Sequence, residues 1–70
     1  MNGLFFFIND TKRKIAHKEG NIRAMEQQIN SLKNSKVQNK RKDREIENIK
    51  YQILCEKAQI QNLKKMIGEN

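Results

Sequence analysis

Seventy residues make one domain at most, and so short a chain buries too little core to be more than marginally stable alone. It has no proline or tryptophan and only three glycines. Fifteen Lys and Arg oppose eight Asp and Glu for a net charge of +7, a makeup of long solvated helices that excludes most compact enzyme designs. The single cysteine, Cys55, and single histidine, His17, can form neither an internal disulfide nor the four-ligand set of a structural zinc site.

Residues 1–10 read as an apolar N-terminal segment. Its longest apolar run, Leu4-Phe5-Phe6-Phe7-Ile8, is far short of the roughly 20 residues of a transmembrane helix. It is also shorter than the core of a secretory signal, which runs to about 7–15 residues, and no basic residue precedes it. An intracellular, non-secreted protein is expected. The sequon Asn9-Asp10-Thr11 is read as a helix start, with Asp10 or Thr11 as the N-cap. Phe5, Phe6 and Phe7 are costly to leave in water, so they are expected at a protein interface. Covering the chain's own end is the next reading. A membrane-surface anchor comes third, because the basic cluster behind the run, Lys12, Arg13 and Lys14, is short.

A first coiled-coil helix is expected over residues 11–35. Ile15, Ile22 and Ile29 recur every seven residues, with Met25 and Leu32 three positions after the second and third, which is the a/d spacing of a helix seam. Gly20 interrupts this stretch and costs about 1 kcal/mol against Ala. Because the isoleucine spacing continues across it, a weak point or kink is expected there rather than a boundary.

A basic turn or connector is placed at 36–40, and a second coiled-coil helix at 41–67. Ile46, Ile53, Ile60 and Ile67 repeat every seven residues, with Ile49 and Leu63 filling alternate d positions. Glu56 falls in this seam between Ile49 and Leu63, where a charge calls for a partner: Lys18 or Arg23 across a hairpin, or a cation of another protein. Gly68 follows as the residue favoured just past a helix end, residues 68–70 closing the chain. Tyr51, Leu54, Cys55, Ala58 and Met66 lie off the seam and suggest a second protein contact on this helix.

The two seams are out of phase, Ile46 following Ile29 by two heptads plus three residues. Two arrangements satisfy this. The chain can fold back as an all-α, two-helix coiled-coil hairpin, the favoured reading. Alternatively it can run on as a single long helix with a stammer near residues 33–45. Asn34, Ser35 and Asn39 favour the turn, and the absence of Gly and Pro there favours continuity.

The stretch Lys33–Arg44 carries Lys33, Lys36, Lys40, Arg41, Lys42 and Arg44 against Asp43, most of the chain's excess charge. Such a concentration suits phosphate contact driven by counterion release. No aromatic residue interleaves for base stacking, so any such contact would be blind to sequence. Its other reading is a solvated connector. No Gly-rich phosphate loop or nucleophile–base pattern is present, so neither catalysis, a cofactor, nor a small-molecule substrate is expected. The leading reading is a small basic interaction or structural protein, an accessory subunit docked into a larger assembly or onto itself through its apolar seams. Sequence-nonspecific nucleic-acid binding is second. A membrane-surface role is third and not favoured.

Overall fold

The computed structural model describes residues 3–36 and 39–69. Met1, Asn2, Asn70 and two residues of the expected 36–40 connector, Val37 and Gln38, lie outside them. Two helices, α1 (Gly3–Asn34) and α2 (Lys40–Met66), pack against each other in a hairpin with overall dimensions of 57 × 15 × 15 Å. Three contacts fix the antiparallel arrangement. Lys42 reaches back to Ser35 beside the turn, Lys18 meets Glu56 in the middle, and Lys12 pairs with Glu69 at the open end. A single continuous helix would have left both isoleucine seams in water. Folding back lets each cover the other, and the phase break between them falls in the connection.

Seven isoleucines form the core: Ile15, Ile22 and Ile29 from α1, and Ile46, Ile49, Ile53 and Ile60 from α2. Met25, Leu32, Leu63 and Ile67 pack against them, partly buried. Each core isoleucine keeps 6–8% of its surface exposed. A seam between only two helices is open along both flanks, so it shields side chains without enclosing them. Burying an isoleucine contributes roughly 1.5–3 kcal/mol, most of which is offset by the entropy of ordering the chain.

The start of α1 departs from the sequence reading. Residues 3–10 are not a separate lead-in, and neither Asp10 nor Thr11 caps a helix. The helix begins at Gly3 and runs through both. No helix breaker stands between Leu4 and Thr11, and Ile8 lies one heptad before Ile15, so the repeat extends backwards through the apolar run. Thr11 occupies the next d position, buried, with its hydroxyl donating to the Phe7 carbonyl at 2.8 Å. This local bond satisfies a hydroxyl that the seam would otherwise strand. Gly20 does not break α1.

The ends of α2 follow local rules. Asn39 is extended (φ −152°, ψ 164°) and its side-chain oxygen accepts from the Lys42 amide at 2.8 Å, an N-cap bond to the third helical residue. Asp43 in the first turn complements the positive end of the helix dipole. At the other end Gly68 has φ +77°. The Glu69 amide donates to the Lys64 carbonyl at 2.7 Å, and the Gly68 amide to Lys65 at 3.2 Å. This paired return is a Schellman motif, and it needs a residue that tolerates the left-handed region.

Candidate interaction surfaces

The seam residues Ile15, Ile22, Met25, Ile29, Leu32, Ile46, Ile49, Ile53, Ile60, Leu63 and Ile67 all lie between the two helices. The interface they make is internal to the chain. In the hairpin the two seams face each other, and the exposed large apolar side chains are those off the seam.

Glu56 lies in the seam as its register requires. Of the two cations available across a hairpin, Lys18 is the one beside it, with Lys18 Nζ 3.4 Å from Glu56 Oε2. Lys18 also donates to the Gln59 side-chain carbonyl. Lys18 sits at the d position of α1 one heptad after Thr11, so the pair forms a charged step midway along a mostly apolar seam. The side chains are 26% and 23% exposed, so water still reaches both charges. Arg23 is exposed and does not enter the seam.

The basic stretch divides in two. Lys33, Lys36, Lys40, Arg41 and Arg44 are exposed around the closed end of the hairpin. Lys42, one of the six expected phosphate contacts, is instead buried to 9% exposure, one heptad before Ile49. Its ammonium donates to the Ser35 carbonyl at 2.9 Å, just past the end of α1. There it hydrogen-bonds a carbonyl just past the helix end and complements the negative end of the dipole. Acids dilute the remaining cations. Lys33 shares a shallow groove with Asp43, Glu47 and Lys50, and Arg41 and Arg44 line another beside Glu45.

Two apolar surfaces are left open. Leu4, Phe5, Phe6 and Phe7 are all exposed on the first turns of α1, so the phenylalanines do not cover the chain's own end. Phe5 and Phe6 meet edge to face at a centroid distance of 6.1 Å. On α2, Tyr51, Leu54, Cys55 and Ala58 follow the i, i+3, i+4, i+7 spacing of one helix face, and all four are exposed. Met66 is exposed at the end of the same helix. His17 is exposed as well.

Three polar seam residues were not picked out by the isoleucine pattern: Thr11, Lys18 and Lys42. The signal was available by counting heptads one step further, along the d positions of α1 and from Ile49 back to Lys42. Among the described residues, no three His, Cys, Asp or Glu side chains gather where they could hold a metal ion. No described helix is long and apolar enough to cross a membrane. No protein family, curated protein or solved structure matches the chain.

Proposed function

We propose that this chain is a non-enzymatic helical interaction module whose seams interdigitate as an antiparallel coiled coil, and which docks into a larger assembly through the outer face of α2. The observation that carries this reading is the exposed stripe Tyr51, Leu54, Cys55 and Ala58 on a hairpin that has already used its seams. A two-helix hairpin needs no apolar residues on its far side, and placing four on one face costs solubility without adding core. The interior is a single layer filled mostly by isoleucine, which supports a structural role over a catalytic one. Crosslinking from Cys55 tests the reading. A photo-crosslinker on its thiol in native extract should give a discrete adduct, with a second copy or with another protein, and Leu54→Lys should abolish it. A diffuse ladder insensitive to Leu54→Lys would reject the docking face.

Polyanion contact at the closed end is the second reading. It rests on the exposure of Lys33, Lys36, Lys40, Arg41 and Arg44 around one end of the molecule. Without Lys42, and with Asp43, Glu45 and Glu47 nearby, the contact would be weak and strongly salt-dependent.

A further inference from the structure

We propose that the open end of the hairpin is an anchor for an anionic lipid surface, the first turns of α1 entering the bilayer interface while a collar of lysines and arginine holds the headgroups. This reading is independent of the α2 docking face and lies at the opposite end of the molecule from the basic turn.

The first argument is the distribution of apolar side chains. Successive helix positions turn by about 100°, so Leu4, Phe5, Phe6 and Phe7 point around the whole circumference of α1. They are 60%, 62%, 54% and 42% exposed. A protein groove covers one side of a helix, whereas a lipid interface surrounds it. The second argument is position. Lys12 pairs with Glu69, which is already past Met66, the last residue of α2, at 3.6 Å. The turns of α1 before Ile8 therefore project beyond the end of α2. The projecting apolar tip, Leu4 to Phe7, is about 6 Å long at 1.5 Å per residue, comparable with the roughly 5–10 Å depth to which interfacial apolar surface is buried.

The third argument is charge, and it depends on the fold. In sequence the apolar run is backed only by Lys12, Arg13 and Lys14. The hairpin brings Lys64 and Lys65, in the last turn of α2, to the same end. Five cations then face two acids, Asp10 and Glu69, a surplus of three. Asp10 pairs with Lys14 at 3.3 Å. Apolar insertion and headgroup attraction each give only weak, reversible binding, and together they give stable attachment.

The test is cosedimentation of the full chain with phosphatidylcholine vesicles, with and without phosphatidylserine. Wild type should pellet with the anionic vesicles, release at high salt, and bind the neutral ones at least tenfold more weakly. Replacing Phe5, Phe6 and Phe7 by serine should weaken anionic binding at least tenfold. Lys64→Gln with Lys65→Gln, which leaves the Lys12–Lys14 cluster intact, should weaken it several-fold. Helicity by circular dichroism should survive in both, because all five residues lie outside the core. Phe6→Trp in the otherwise unchanged chain gives a reading that needs no truncation of the apolar run: its indole emission should shift to the blue on anionic vesicles. No binding of wild type, undiminished binding of the serine variant, or an unshifted emission from the Phe6→Trp variant would overturn the proposal. Concentration-dependent self-association that the serine variant loses, without vesicle binding, would overturn it in favour of a protein contact.

Discussion

Lys18 and Glu56, 38 positions apart in the chain, meet at 3.4 Å midway along a seam lined mostly by isoleucine, methionine and leucine. Their pairing aligns the two helices, because a slip by one heptad in either direction would set Lys18 against an apolar residue, Ile49 or Leu63, and would leave Glu56 without its cation. Removing one partner leaves the other charge in the seam. Glu56→Ala should therefore cost about 1–2 kcal/mol, below the figure for a fully buried pair because both side chains are partly wet. Replacing both by leucine should restore or raise stability while loosening register and favouring association between chains. Denaturant melts with light scattering test both. A stable, strictly monomeric double-leucine variant would remove the role in alignment.

A charge introduced in the seam should be far worse than one introduced beside it. Ile53 is a core residue, and Ile53→Asp should abolish helicity, since an unpaired buried carboxylate costs several kcal/mol, comparable to the whole stability of such a chain. Gln59 is exposed and accepts from the Lys18 ammonium. Gln59→Asp should change stability by less than about 0.5 kcal/mol, the added charge lying beside a cation. Circular dichroism melts of the two variants give the comparison, and equal losses would mean that the seam is misplaced.

The seams, the fold-back and the Gly68 terminus were legible because each rests on local chemistry: seven-residue spacing, turn-forming Asn and Ser, and a glycine after the last turn. The start of α1 was not. A run of phenylalanines marks apolarity without marking helix, and Thr11 resembles a cap unless Ile8 is counted as the preceding seam position. Lys42 was misread for a different reason. In a run of six cations nothing in composition separates one from another, and only its place one heptad before Ile49 turns it inward. The partner of Glu56 was narrowed to two cations by sequence, and the register of the hairpin selected Lys18. The lysines of the two chain ends could be joined into one collar only after the helices had been folded together.

Gly20 and Gly68 should respond to alanine with opposite signs. At Gly20 a methyl group meets only the Arg23 guanidinium, at 3.8 Å, and the position lies inside an unbroken helix. Gly20→Ala should stabilise by about 1 kcal/mol through helix propensity. At Gly68 there is open space, but φ is +77°. Gly68→Ala should destabilise by about 1 kcal/mol, since a side chain disfavours the left-handed region. Thermal melts monitored at 222 nm read both changes. Destabilisation by Gly20→Ala would mean that α1 bends at this site.

Lys42 should behave as a fold residue and its neighbours as surface charges. Neutralising Lys40, Arg41, Lys42 and Arg44 together would change both properties at once, so the informative comparison separates them. Lys42→Gln should cost about 1–2 kcal/mol, because the Ser35 carbonyl loses a charged donor and the seam gains a poorly placed amide. Lys40→Gln, Arg41→Gln and Arg44→Gln combined should leave stability within about 0.5 kcal/mol per site, all three side chains being exposed. The triple variant is then the clean probe of polyanion binding. If the closed end contacts phosphates, each lost contact should flatten the dependence of log affinity on log salt by about 0.7 to 0.9. Duplex and single strand should be bound without regard to sequence, since no stacking residue accompanies the cations. Lys42→Gln, assayed where it remains folded, should keep the wild-type salt slope. A slope reduced by Lys42→Gln and untouched by the triple variant would place the contact inside the turn and overturn this division. Wild type failing to bind either nucleic acid at low salt would reject polyanion contact at the closed end and leave its exposed cations as solubilising charge.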